Sequence, residues 1–296
     1  MFVAVFAVTL AACTGTAPVF SGDTAWDYLV KQCEYGPRLP RSAAHDSTKS
    51  LIYDVLKTQG AEVSVQRFTI DDPYDPGEKL PLVNIIGSFY PEEAKRFLLA
   101  AHYDCRPWAD EEPDSSAWTQ PIIGANDAAS GVAVLLELAE LLGKHSPGGL
   151  GVDLVFFDGE DYGKSGDIQY YLLGSKHFAA NLQGYRPVGG ILLDMVGAKD
   201  ARIGMEGNSM DHAPELTASV FARAEELGLN VLVRERINPI YDDHIPLLQA
   251  GVPMVDLIGL PYTYWHTLGD TPDKCSRETL REVGTLVTDF LYDFPN

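Results

Sequence analysis

Five short apolar runs punctuate the chain, at residues 83–89, 97–103, 152–157, 190–196 and 252–258. They are rich in Val, Ile, Leu or Phe and bounded by Gly, Pro or Asp, the pattern of strands buried on both faces. Between them the apolar period lengthens to that of helices. In residues 127–145, Val132, Leu135, Leu136, Ala139 and Leu142 recur at i, i+3, i+4 and i+7 and mark one buried face. Residues 42–59, 213–227 and 276–294 read the same way, with Gly60 and Gly228 placed as C-terminal stops. This alternation predicts an α/β protein: a three-layer sandwich with a central, mostly parallel mixed sheet flanked by helices. No internal repeat, low-complexity block or Gly/Ser linker divides residues 23–296, so residues 26–296 are expected to form one domain.

The first residues follow another pattern. Residues 1–12, MFVAVFAVTLAA, carry no charge and are too few to span a bilayer, as in the apolar part of an export signal. Leu10-Ala11-Ala12-Cys13 resembles a bacterial lipobox, although no Lys or Arg precedes the run. The expectation is an exported bacterial lipoprotein, with residues 13–25 a lipidated N-terminus and linker. It would face the periplasm or cell surface and meet the membrane only through a lipid on Cys13. A plain signal peptide or a buried N-terminal strand are the alternatives. Cys33, Cys105 and Cys275 fall in no Cys-x-x-Cys pattern, which argues against cysteine metal ligation and redox catalysis.

Composition narrows the function. With 46% hydrophobic and 22% charged residues, disorder and membrane-spanning architectures fit poorly. The formal charge of −20 and the absence of Lys/Arg clusters argue against a nucleic-acid partner. Most of the excess carboxylate reads as a solvated surface, but some of it stands where strands end. A parallel sheet builds its site at the carboxyl ends of its strands, and there the sequence places His102 and Asp104, Glu160 and Asp161, and Asp194. Asn126 and Asp127 open a helix, Tyr241-Asp242-Asp243-His244 heads another, and Trp265-His266-Thr267 follows the last apolar run. Asp127 and the 241–244 segment could simply be caps, and His102 a structural histidine. The adjacent Glu160 and Asp161 repel one another unless a cation or donors compensate, and Asp194 interrupts an apolar run. The long stretch between Asp104 and Asp127 reads as a rim or lid.

Carboxylate oxygens together with imidazole nitrogens suit zinc, whose catalytic sites keep three protein ligands and an open position. No Gly-x-Ser-x-Gly elbow and no phosphate-binding loop is present, which leaves metal-assisted chemistry on a carbonyl as the favoured class.

The motifs HYD (102–104), NDAASG (126–131), FFDGED (156–161), LLDMVG (192–197), YDDHIPLL (241–248), AGVP (250–253) and WHT (265–267) occur in that order. Together they resemble the glutaminyl-peptide cyclotransferases, transferases built on the zinc-aminopeptidase fold. The Asp-Asp-His-Ile-Pro segment and the Trp directly before the last His distinguish this branch from the wider aminopeptidases. The resemblance implies one zinc per chain, held by Asp127, Asp161 and His266. It implies Glu160 as proton shuttle, with Asp194 and Asp242 as an acidic pair that orients the substrate. Trp265 would wall the glutamine pocket, and His102, Asp104 and Asp243 would stand behind these groups. The substrates implied are peptides or proteins with N-terminal Gln, cyclised to pyroglutamate with loss of ammonia. Asp161 stands where the animal branch has Glu, and YGKSGDIQYY replaces a tryptophan-bearing segment, as in a bacterial subtype. A di-zinc aminopeptidase remains the rival, since His102, Asp127, Asp161, Asp194 and His266 supply every ligand it needs. A binding protein on the same fold, without activity, is a further alternative.

Overall fold

A computed structural model describes residues 17–294; residues 1–16, which carry the expected export segment and Cys13, lie outside the described residues. The first half of the chain runs α1 (Gly22–Glu34), α2 (Ala43–Thr58), β1 (Glu62–Asp71), β2 (Lys79–Phe89), β3 (Arg96–His102), α3 (Ala129–Lys144) and β4 (Gly151–Phe157). Then come α4 (Leu173–Ala180), β5 (Gly189–Asp194), β6 (Ile203–Met205), α5 (Gly207–His212) and α6 (Pro214–Glu226). The last elements are β7 (Leu232–Arg236), α7 (His244–Gln249), β8 (Met254–Ile258) and α8 (Arg277–Tyr292). Six strands form one sheet in the order β1-β2-β4-β3-β5-β8. The pairs β3–β4, β3–β5 and β5–β8 are parallel, whereas β1–β2 and β2–β4 are antiparallel. The architecture is the expected three-layer α/β sandwich around a mostly parallel mixed sheet.

The two sides of the sheet follow from the two-residue period of its strands. On β3, Phe97, Leu99 and Ala101 enter the larger core, together with Leu29 of α1, Ile52 of α2, Leu135 of α3 and Val283 of α8. Leu98 and Ala100 face the other way and meet Phe178 of α4 and Leu247 of α7. β4 repeats the alternation: Val152, Leu154 and Phe156 on one side, Val155 and Phe157 on the other. This two-sided burial is why these strands read as unbroken apolar runs.

Several boundaries differ from expectation. α1 begins at Gly22, inside the stretch 13–25 read as linker, because Ser21 caps it by accepting from the Thr24 N–H. Strands β1 and β7 have no apolar run to announce them: β1 alternates exposed and half-buried positions at the sheet edge, and β7 is Leu-Val-Arg-Glu-Arg. The helix expected from Asp127 begins at Ala129, and Asp127 caps nothing. The expected stops Gly60 and Gly228 do take positive φ, 85° and 66°. All three cysteines among the described residues are free.

α1 is tied to α3 through a buried carboxylate: Glu137 accepts the Ser21 N–H at 3.1 Å. Burial pushes the Glu137 carboxyl up to about 7, against the bond from Ser21. A carboxyl raised on folding contributes stability that is present below its unfolded value and lost as pH rises through the folded one. Melting curves at about pH 5 and about pH 8 are therefore expected to fall less for Glu137→Gln than for the wild type. Equal falls would contradict the assignment.

Candidate active site

β4 and β5 pair with β3 on opposite sides, in parallel, so the connections leave β3 in opposite directions and open a crevice at the carboxyl ends. His102 ends β3 opposite Phe157 of β4. One turn after Phe157, through Gly159 at φ 72°, the chain presents Glu160 and Asp161. Asp194 ends β5. The helix α3 approaches from the same end, and a Cβ at Gly131 would lie 2.2 Å from the Leu193 carbonyl oxygen. The small residues after Asp127 are thus what lets its helix sit against β5.

Two buried carboxylates hold the backbone of the reactive side chains. Asp104 accepts the N–H groups of Glu160 and Asp161 at 3.1 and 3.2 Å. Asp270 accepts those of Asn126 and Asp127 at 2.9 and 3.1 Å, and also the Tyr262 hydroxyl at 2.8 Å. Asn126 and Ser130 reach across to the N–H groups of Gly197 and Val196 just beyond β5. The Glu160–Asp161 pair is thus held by the segment just beyond β3, and the Asn126–Asp127 pair by Asp270 and the segment just beyond β5.

The side chains converge. Asp127, Asp161 and His266 offer ligand atoms that all lie within 4.8 Å of one another, and all three residues are buried. His266 Nε2 is 3.4 Å from Asp161 Oδ2 and 3.7 Å from Asp127 Oδ2. Tetrahedral ligands about 2.1 Å from zinc are about 3.4 Å apart, so the spacing fits that ion. Asp161 Oδ2, moreover, is buried without a hydrogen-bond partner. His102, Asp127 and Asp194 form a second such group, sharing Asp127. There His102 Nε2 lies 3.2 Å from both Asp127 Oδ1 and Asp194 Oδ1, and the latter contact is a hydrogen bond. The first group lacks a partner for a ligand oxygen, while the second has paired with itself.

Electrostatics follow this crowding. Burial pushes Glu160 well above the usual carboxylate range, and the Asp161 charge adds to it, while His102 opposes. Asp161 is pulled down despite burial, by His266 and by Arg106. Burial would lower His102, but the carboxylates of Asp104, Asp127 and Asp194 around it raise it well above its ordinary value. Asp242 and Asp243 are raised by burial and then by a neighbouring carboxylate, Asp194 for the first and Asp242 for the second. Asp243 also accepts from the Ser175 hydroxyl.

The crevice opens into a cleft of about 440 Å³ lined by Tyr171, Tyr241, Trp265 and His266, among others. Trp265 stacks on His266 with ring centroids 3.8 Å apart and remains 38% exposed, so it walls the cleft beside the ligand set. A larger cleft of about 590 Å³ between α1 and α2, lined by Tyr28, Lys31 and Asp54, contains none of these residues.

The profile of peptidase family M28 matches residues 84–291. The chain belongs to peptidase family M28. Among curated relatives, the glutaminyl-peptide cyclotransferase-like protein of Bos taurus is 28% identical over 292 residues, spanning 87% of this chain and 72% of that protein. The structure of Bacteroides thetaiotaomicron glutaminyl cyclase bound to N-acetylhistamine superposes with a TM-score of 0.90 at 37% identity, covering 94% of this chain and 100% of that one. A leucine aminopeptidase precursor from Bacteroides thetaiotaomicron VPI-5482 gives the same TM-score and identity over 94% and 99%.

The M28 site also uses residues that the motifs did not single out. Arg106, fully buried, donates to Asp161 Oδ1 at 2.7 Å and pairs with Asp110, whose Oδ1 lies 3.7 Å from His266 Nδ1. One guanidinium thus steadies two of the three ligand residues, and its sequence signal was an Arg and an Asp four apart in the 105–126 rim. That rim is anchored: Arg38 donates to the carbonyls of Tyr103, Ile123 and Gly124. Asp270 had no signal beyond its charge. Because Asp270 aims Asp127, Asp270→Asn should weaken zinc binding by roughly 10–100-fold. Competition against a fluorescent chelator measures it, and an unchanged affinity would contradict this role.

Proposed function

We infer that this chain is a zinc-dependent glutaminyl-peptide cyclotransferase, which closes the N-terminal glutamine of peptides and proteins to pyroglutamate and releases ammonia. The observation that carries this reading is Glu160 beside the Asp127–Asp161–His266 ligand set, within a fold shared along nearly its whole length with a glutaminyl cyclase. One zinc per chain is the corresponding count: Asp161 Oδ2 is left unpartnered, whereas Asp194 is already bonded to His102.

When bound, zinc supplies a Lewis acid at the side-chain amide carbonyl and a counter-charge for the developing oxyanion. The chain's own residues do the rest. The cleft wall of Trp265 folds the glutamine side chain back, so that its amide carbon meets the peptide's own amine and attack is intramolecular. Glu160 takes a proton from that amine as the new C–N bond forms, then gives it to the departing amide nitrogen, which leaves as ammonia. Asp194 and Asp242 hold the nitrogen that acquires positive character. Asp104 and Asp243 act behind these groups, by holding the Glu160–Asp161 backbone and by supporting Asp242. The acidic rim residues Asp110 and Glu111 favour a cationic substrate terminus.

The di-zinc aminopeptidase reading draws on the His102–Asp127–Asp194 group and on the aminopeptidase named among the structural neighbours. The internal His102–Asp194 hydrogen bond disfavours it. Export and a lipid on Cys13 belong to the proposal too, supported by Leu10-Ala11-Ala12-Cys13 alone.

A Gln-initiated peptide incubated with the enzyme should lose its free amine and release one ammonia per turnover. Glu160→Gln should keep its zinc and lose roughly 10²–10⁴-fold in kcat. Release of free amino acids without pyroglutamate would overturn the assignment, and full activity in the variant would remove Glu160 from the proton transfer.

A further inference from the structure

Behind the crevice lies a second buried cluster, Glu206, His244 and Asp256, which the chemistry above does not use. Its three side chains are fully buried. Both ring nitrogens of His244 face carboxylates: Nε2 lies 3.1 Å from Glu206 Oε2, and Nδ1 lies 3.5 Å from Asp256 Oδ2. The residue types suit a cation, but Glu206 has little left to offer one. Its two oxygens already accept from Asn208 N and Nδ2, Ile240 N, Ser209 N and Ser209 Oγ, at 2.7–3.1 Å. The imidazole stands within ion-pair distance of both carboxylates, while its two nitrogens and both Asp256 oxygens make no hydrogen bond.

What the cluster holds is the segment that carries Asp242. Ile240 donates its N–H to Glu206 and its carbonyl accepts from Asn208 Nδ2 at 2.9 Å. His244 follows two residues later as the first residue of α7. Ser209 Oγ also accepts the Asp256 N–H at 3.0 Å, tying the cluster to β8. Between these anchors Asp242 spends Oδ1 on the N–H of Asp243, while its buried Oδ2 has no partner. Only one oxygen of Asp242 is available, and its direction depends on where residues 240 and 244 are pinned.

We propose that Glu206, His244 and Asp256 form a carboxylate–imidazole–carboxylate clamp that aims the free oxygen of Asp242 at the substrate, with His244 a positioning residue. The proposal rests on the cyclotransferase reading in which Asp242 holds the reacting nitrogen.

A double-mutant cycle on the zinc-loaded enzyme tests it, using a Gln-initiated peptide as probe. Asp242→Asn and His244→Gln should each lower kcat by roughly 10–100-fold, the scale of a small misplacement, with KM little changed. The double variant should fall no lower than the worse single, because the second change removes an effect already lost. Metal content should stay at the wild-type value throughout. Losses that multiply, or full kcat in His244→Gln, would overturn the clamp. Disappearance of a metal equivalent in His244→Gln would overturn it in favour of a cation site. Full turnover in Asp242→Asn would instead sink the role of Asp242 itself, and with it the starting point. Should melting show His244→Gln unfolded at the assay temperature, Asp256→Asn replaces it in the same cycle, with the same expected outcomes.

Discussion

Six carboxylates, those of Asp127, Glu160, Asp161, Asp194, Asp242 and Asp243, crowd one crevice closely enough to act on one another, and their mutual repulsion is the constraint around which this structure is arranged. Leaving them all ionised and unpaired would be prohibitive. The chain answers with cations and donors placed one by one: His102 between Asp127 and Asp194, Arg106 against Asp161, Ser175 on Asp243. Three of their oxygens stay buried and unpartnered, on Asp161, Asp242 and Asp243, and of these only Asp161 Oδ2 belongs to the Asp127–Asp161–His266 group. A dication held by Asp127, Asp161 and His266 would give that oxygen a partner and would supply the chemistry proposed above.

The same arrangement explains the support given to each reactive side chain. A side chain held against repulsion needs a rigid backbone, and here two carboxylates grip successive amides from outside. Asp104 holds the pair that includes Glu160, and Asp270 holds the pair that includes Asp127. Both grips join connecting segments at the carboxyl end of the sheet that are far apart in the chain, which fixes Glu160 and Asp127 relative to one another.

The fold was legible where burial leaves a pattern in the residues. β3 and β4 are buried on both faces, so Phe97, Leu98 and Leu99 could only read as a core strand. β1 shows one half-buried face at an edge, and its Glu-Val-Ser-Val-Gln-Arg lettering carries no such mark. In the site, Glu160, Asp161 and Asp194 were legible because carboxylates beside or within apolar runs are costly without a task, whereas His102, Asp104, Asp127, Asp242 and His266 took their expected roles from the family resemblance. Arg106, Glu206 and Asp270 were not legible. Beyond local contacts such as Arg106 with Asp110, each acts on residues far away in the chain, Arg106 on Asp161, Glu206 on Ile240 and Asp270 on an amide 144 residues distant, and no local spacing encodes those contacts. His244 was passed over for a different reason. It stood in a motif already explained by Asp242 and Asp243, while its partners Glu206 and Asp256 come from elsewhere in the chain.

A single dication at Asp127, Asp161 and His266 would relieve this repulsion at one place, and anomalous diffraction at the zinc edge, on crystals grown with zinc, would locate it. One strong peak is expected within bonding distance of these three residues, with Asp194 still bonded to His102. A second peak of equal height among His102, Asp127 and Asp194 would contradict it.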